Sequence, residues 1–202
     1  MRMTLANQLT IARMAVIPLI ITLVLSNHSG WALLVFTLAG LSDMLDGVIA
    51  RRYRQKSSLG SFLDPMADKL LMTACFIVLS IPDNPQTFPD YAVPNHIPIY
   101  LTIVTISRDV FIVMVALVIH LASGLSRFPP TILGKATTLT QIAMIGFVLL
   151  FNALGQGSPV FIQALSWLTL AATLASGFHY IHNVARIIAQ VENGASVGGD
   201  DP

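Results

Sequence analysis

The chain has 202 residues, of which 54% are hydrophobic and 10% charged, and its formal net charge at neutral pH is +1. Soluble globular domains carry roughly a quarter charged residues, so lipid rather than water is the expected surrounding of most of this sequence. The near balance of charge excludes the extended basic face that a nucleic-acid partner needs, and the single cysteine, Cys75, excludes an internal disulfide.

From the N-terminus, apolar runs fall near 11–27, 31–50, 66–81, 97–122, 131–153 and 159–182. These are comparable to the about 20 residues that carry a helix through a hydrocarbon core of roughly 30 Å. Residues 4–12 read as a short interfacial helix, with Thr4 as its cap and Asn7, Thr10 and Arg13 on one face. Arg13 interrupts the opening run and no small-residue cleavage site follows, so a cleaved leader is not expected. The predicted architecture is an all-α integral membrane protein of six transmembrane helices with a short N-terminal interfacial helix. Residues 1–190 form the membrane domain, and the small, polar and acidic residues 191–202 form a disordered tail.

The linkers alternate in charge. Those near 28–30, 82–96 and 154–158 hold no Lys or Arg, whereas 51–59 carries Arg51, Arg52, Arg54 and Lys56 and 123–130 carries Arg127. The positive-inside rule places the basic side, and with it both termini, in the cytoplasm. Four prolines in "PDNPQTFPDYAVPNH" argue against a helix in the long outer linker, and Gly155, Gly157 and Pro159 mark a short turn.

Charge concentrates in "SDMLDGVIARRYRQKSSLGSFLDPMADK", residues 42–69. Asp43, Asp46, Gly47 and Ala50 recur at i, i+3, i+4 and i+7, one face of a helix. Gly60, Asp64 and Asp68 form a second such stripe. A short basic linker joins the two segments, so they are expected to be antiparallel neighbours whose aspartates converge at the cytoplasmic end. Asp64, followed by Pro65, also fits an ordinary helix cap. That reading does not cover Asp43, Asp46 and Asp68, which lie inside apolar runs.

Converging carboxylates in or under a bilayer need positive partners, because an unpaired buried charge costs several kcal/mol. Oxygen ligands with no histidine or cysteine nearby favour Mg²⁺, Mn²⁺ or Ca²⁺ over Zn²⁺, and a metal pair suits in-line displacement at phosphorus. Gly47 and Gly60 leave room for a bulky group beside the backbone, and Arg51, one turn beyond Gly47, is placed to hold a phosphate. The pattern reads as a site for a metal-bound diphosphate.

The motif D-x-x-D-G-x-x-A-R, eight further residues, then G-x-x-x-D-x-x-x-D, as it stands at 43–68, resembles the signature of the CDP-alcohol phosphatidyltransferases. "NQLTIAR", "TISRDV" and "GKATTLTQ" extend the likeness to the phosphatidylglycerophosphate synthase and cardiolipin synthase branches over residues 5 to about 188. The resemblance implies transfer of the phosphatidyl group of CDP-diacylglycerol to an alcohol with release of CMP. It implies two divalent cations, Mg²⁺ or Mn²⁺, held by Asp43, Asp46, Asp64 and Asp68, with Asp68 also acting as the general base. Asp43, Gly47, Ala50, Arg51 and Gly60 would line the CDP-diacylglycerol site, at the cytoplasmic face, and the resemblance also suggests a homodimer.

The acceptor is expected to be an anionic glycerol-type alcohol. Arg108 lies inside the fourth apolar run, where an arginine marks a functional site by default, and Lys135 and Arg13 are candidate partners for the same phosphate. Asp109 is set about 100° from Arg108 on a helix, so a pair between these two alone is not expected. The Arg-Asp pair, "FTLAGLSDMLDG" and "TLAATLASGFHYIHNVARI" resemble the branch that joins CDP-diacylglycerol to phosphatidylglycerol, giving cardiolipin. Glycerol 3-phosphate, giving phosphatidylglycerophosphate, is the alternative acceptor.

Two other classes compete. An ion-coupled transporter would place its acids near the midplane, yet Asp46 lies only about 7.5 Å along a helix from Arg51, near the interface. A non-catalytic membrane scaffold would tolerate Asp68→Asn, which an enzyme of this kind would not.

Overall fold

The computed structural model describes the backbone of residues 5–53, 58–83, 88, 90–123 and 132–197, and side chains at 12–42, 66–83, 88, 90–115, 118 and 132–184. Among these residues there are six α-helices and no strand: α1 Leu5–Leu25, α2 Ser29–Tyr53, α3 Ser58–Leu79, α4 Ile99–Ser123, α5 Ile132–Ala153 and α6 Pro159–Val197. Two stretches, Ile132–Ala153 and Pro159–Val184, are long and apolar enough to cross a bilayer, and Ala12–Leu25 and Ser29–Ser42 are shorter apolar helices.

The helix ends follow local chemistry. After α1, Asn27 takes a left-handed conformation (φ 57°), and the His28 amide bonds back to the Leu23 carbonyl at 2.8 Å. After α5, Gly155 does the same (φ 63°), with the Gln156 amide on the Phe151 carbonyl at 2.9 Å. Both are Schellman-type caps that satisfy the last carbonyls of a helix. Pro159 opens α6, where its missing N–H costs nothing.

α1 packs on α2 and α3, α5 packs on α2, α3 and α6, and α4 packs on α6 and α3. The shared core includes Ile20, Val24, Phe36, Cys75, Phe76 and Leu149, all buried. Large apolar residues also face outward, such as Val113 at 67% and Leu139 at 69% exposure, as side chains against lipid do. In lipid, apolar burial gives helices little reason to associate, and packing with interhelical hydrogen bonds must hold them. One such bond runs from Thr137 Oγ1 on α5 to the Ala172 carbonyl on α6 at 3.0 Å.

The linker between α3 and α4 is not helical over its described residues, and it folds back on the bundle. Tyr91, Val93 and Ile97 are buried, and Tyr91 donates its hydroxyl to the Val78 carbonyl at 3.3 Å. Asn95 is tied to the α5–α6 turn. Its amide and its Nδ2 donate to Asn152 Oδ1, each at 3.0 Å, and Asn152 Nδ2 donates back to the Asn95 carbonyl at 3.0 Å.

The structure departs from the sequence expectation at three places. The short interfacial helix is not separate: α1 runs unbroken from Leu5, since nothing between Leu5 and Arg13 interrupts a helix once it is nucleated. α6 continues past residue 190 to Val197, because "ARIIAQVE" is rich in helix formers and propagates an existing helix. Among the described residues α2 and α3 do not pack on each other. α1 lies against both, and a cavity reaching to α5 stands between them.

Candidate active site

Asp43, Asp46, Gly47, Ala50 and Arg51 fall on the last turns of α2, and Gly60, Asp64 and Asp68 on the first half of α3. The side chains of Asp43, Asp46, Ala50, Arg51 and Asp64, and the surroundings of Gly47 and Gly60, lie outside the described residues. Asp68 is described. Its carboxylate lines an open cavity of about 460 Å³ between α2, α3 and α5, together with Phe36, Thr37, Leu71, Thr138 and Ile142.

Two glycines shape this cavity. Gly40 of α2 and Gly146 of α5 both line it, and a β-carbon added at either would meet no atom within 4 Å. Absence of a side chain at these points therefore widens the cavity without serving close helix packing.

Asp68 Oδ1 accepts a hydrogen bond from Arg13 Nη1 at 2.7 Å. The Arg13 side chain is 5% exposed and that of Asp68 39% exposed, so a buried cation is balanced by a carboxylate at the cavity wall. This charge-assisted contact ties α1 to α3 and orients the Asp68 carboxylate.

A second charged row begins at the next residue. Lys69 Nζ donates to Asp109 Oδ2 at 2.7 Å, and Arg108 Nη1 donates to Asp109 Oδ1 at 2.8 Å. Arg108 Nη2 donates to Ser176 Oγ on α6. Arg108 and Asp109 do not pair alone: Asp109 is shared with Lys69, and Arg108 also reaches Ser176. The long arginine side chain bends back to its neighbour, and Lys69 from α3 holds the same carboxylate in place. The row spans α3, α4 and α6 and requires no side chain from the linkers.

The three expected acceptor cations are not gathered in the Asp68 cavity. Arg13 is beside Asp68 but does not line it, Arg108 stands beyond Lys69, and Lys135 is exposed in the first turn of α5. Lys69, Ser176, Gly40 and Gly146 were not singled out by the sequence. Lys69 could have been, as a charged residue inside an apolar run that needs an anionic partner such as Asp109.

The described residues fit a hard cation without enclosing one. Asp68 lies at the cavity wall, Cys75 is buried in the core and His96 is bound up with Asp83 in the linker between α3 and α4 at 3.3 Å. Among the described residues no three acidic, histidine or cysteine side chains form a metal cluster. The side chains of Asp43, Asp46 and Asp64, the other carboxylates of the motif, lie outside the described residues; a set made only of carboxylates would suit Mg²⁺ or Mn²⁺.

Comparison with known proteins completes the description. A CDP-alcohol phosphatidyltransferase family profile matches residues 3–176. The chain is 32% identical over 195 residues to the cardiolipin synthase (CMP-forming) of Rattus norvegicus, covering 89% of this chain and 61% of that protein. It is 35% identical over 167 residues to the cardiolipin synthase (CMP-forming) of Streptomyces coelicolor, covering 77% and 68%. It is 30% identical over 190 residues to the CDP-diacylglycerol–glycerol-3-phosphate 3-phosphatidyltransferase of Rickettsia typhi, covering 87% and 94%. The chain spans about three fifths of the length of the mammalian relatives it matches. With the aspartate signature on α2 and α3 and a profile match over most of its length, the chain belongs to the CDP-alcohol phosphatidyltransferase family.

Proposed function

We propose that this protein transfers the phosphatidyl group of CDP-diacylglycerol to the hydroxyl of phosphatidylglycerol, forming cardiolipin and releasing CMP. Family members use a CDP-alcohol donor and an alcohol acceptor and are generally dependent on divalent metal. The observation that carries the reading is Asp68, the last aspartate of the signature, at the wall of a largely apolar cavity between α2, α3 and α5.

In this reading the acceptor hydroxyl oxygen attacks the phosphatidyl-bearing phosphorus of the donor. Its proton passes to Asp68, and the bond from that phosphorus to the CMP oxygen breaks. Arg13 keeps the Asp68 carboxylate in place, while Gly47, Ala50, Arg51 and Gly60, with Asp43, line the nucleotide end of the donor site. Arg108 meets the anionic group of the acceptor. Phe36, Leu71 and Ile142 give the donor's glycerolipid portion an apolar wall. Two divalent cations, Mg²⁺ or Mn²⁺, held by Asp43, Asp46, Asp64 and Asp68, would neutralise the diphosphate and stabilise the leaving CMP.

The same reading gives six membrane spans, both termini and the site on the cytoplasmic side, and a homodimer built from the 1–190 domain. The basic 51–59 linker beside the signature supports that orientation. A second reading, with glycerol 3-phosphate as acceptor, is favoured by the match to 94% of the Rickettsia typhi enzyme.

The test supplies purified protein with CDP-diacylglycerol, Mg²⁺ or Mn²⁺, and each acceptor in turn, and follows CMP and lipid products. CMP with cardiolipin from phosphatidylglycerol supports the first reading. CMP only with glycerol 3-phosphate replaces it by the second.

A further inference from the structure

The Lys69–Asp109–Arg108 row carries more than a helix tie. We propose that Asp109 sets the charge of the acceptor: holding two cations on one carboxylate, it leaves a single net positive charge that suits a phosphodiester monoanion over a phosphomonoester dianion. This rests on the reading above that Arg108 meets the acceptor's anionic group.

Both Asp109 oxygens are engaged, Oδ2 by Lys69 at 2.7 Å and Oδ1 by Arg108 at 2.8 Å. The side chains of Arg108 and Asp109 are 12% and 17% exposed and that of Lys69 42%, so water screens the Arg108–Asp109 end of the row least, and an anion bound at Arg108 must match the charge there. Arg108 spends one terminal nitrogen on Asp109 and the other on Ser176, and its Nε is buried with no hydrogen-bond partner. A buried donor left over on a cation is what an arriving phosphate oxygen would satisfy.

Among the described residues the neighbouring charges leave this balance unchanged. Asp68 is matched by Arg13, and Lys135 is exposed, where solvent and salt screen it. Lys69 directly follows Asp68, so the row starts beside the proposed base. α3 and α4 run antiparallel with matched contacts at Leu79–Ile97, Phe76–Thr102 and Lys69–Asp109. The Lys69–Asp109 contact is thus one of three successive ties between α3 and the segment that runs into and along α4.

A phosphatidylglycerol phosphodiester carries one negative charge, whereas a phosphate monoester such as glycerol 3-phosphate approaches two at neutral pH. With Asp109 charged, the first is neutralised and the second leaves a negative excess. Asp109→Asn keeps the shape, removes the negative charge and raises the row by one positive charge. Lys69→Gln lowers it by one.

The experiment measures kcat/KM for phosphatidylglycerol and for glycerol 3-phosphate, at saturating CDP-diacylglycerol, in the wild type and in Asp109→Asn, Asp109→Glu, Lys69→Gln and Arg108→Gln. The wild type favours phosphatidylglycerol. Asp109→Asn moves the ratio toward glycerol 3-phosphate by about tenfold, the scale of one poorly screened charge. Asp109→Glu restores the wild-type ratio, and Lys69→Gln moves it the other way. An unchanged ratio in Asp109→Asn with both rates falling together makes Asp109 a structural tie and overturns the inference, as does a shift toward phosphatidylglycerol. If Arg108→Gln leaves the KM of both acceptors unchanged, the acceptor-site reading itself is what fails. If Arg108→Gln raises the KM while the Asp109→Asn ratio stays fixed, that reading survives and the role of Asp109 does not.

Discussion

Replacing Arg13 with glutamine removes the cation that holds Asp68 at 2.7 Å while keeping much of the side-chain volume. Breaking a fully buried ion pair costs about 3–5 kcal/mol, whereas an exposed pair is worth about 0–1 kcal/mol. Here Arg13 is 5% exposed and Asp68 39% exposed, so the loss should fall between these limits, at about 2 kcal/mol. In a domain of this size that corresponds to a lower melting midpoint by about 4–8 °C. The assay is thermal unfolding of the purified protein in micelles for Arg13→Gln, Asp68→Asn and the double variant. A coupling of about 1–2 kcal/mol isolates the pair from the other contacts of each residue. Arg13→Lys should recover part of the loss, because it keeps the charge without the planar fork. CMP release by Arg13→Gln should fall about tenfold or more, since a misplaced base is costly to proton transfer. An Arg13→Gln protein as stable and as active as the wild type, with no coupling to Asp68, would refute the view that Arg13 orients this carboxylate.

Gly146→Leu and Gly40→Leu should project a side chain into the cavity beside Asp68, because both glycines line it and a β-carbon at either site meets nothing within 4 Å. Melting should change by no more than about 1 kcal/mol while CMP release drops about tenfold or more; full activity would place the substrates elsewhere. Burial first, and the Asp83 charge second, push the Tyr91 hydroxyl up from 10.0 to about 12. The folded state therefore holds this proton more tightly than the unfolded chain, and the stability it contributes is present below pH 10 and drains away between about 10 and 12. Melting followed over that range should fall more steeply in the wild type than in Tyr91→Phe; parallel curves would show that Tyr91 does not govern the linker between α3 and α4.

Much of the helix layout was legible because apolar runs in this chain are long and bounded by Pro, Gly and charge, as at Gly155 and Pro159. The aspartate spacing also placed Asp43 and Asp46 on α2 and Asp64 and Asp68 on α3. Which helices touch was not legible. The stretches 29–42 and 70–79 are apolar on most faces and carry little amphipathic signal for their partners, so they did not disclose that α1 packs on both helices or that a cavity separates them. The start of α1 was misread for a related reason: polar Asn7, Gln8 and Thr10 suggest an interface, but they do not break a helix. The third member of the Arg108–Asp109 group was missed because Lys69 comes from another helix, whose packing carries no local signature. The Asn95–Asn152 contact, between residues distant in sequence, carries no local signature at all.

In the proposed reaction Asp68 takes the proton of an acceptor hydroxyl in a CMP-forming lipid transfer. This role is tested most directly by measuring CMP release from CDP-diacylglycerol and phosphatidylglycerol by the wild type and by Asp68→Asn, with folding of both verified by melting. The account expects CMP and cardiolipin in equal amounts from the wild type, and turnover lower by on the order of 100-fold or more in a folded Asp68→Asn. A folded Asp68→Asn protein that releases CMP at the wild-type rate would contradict it.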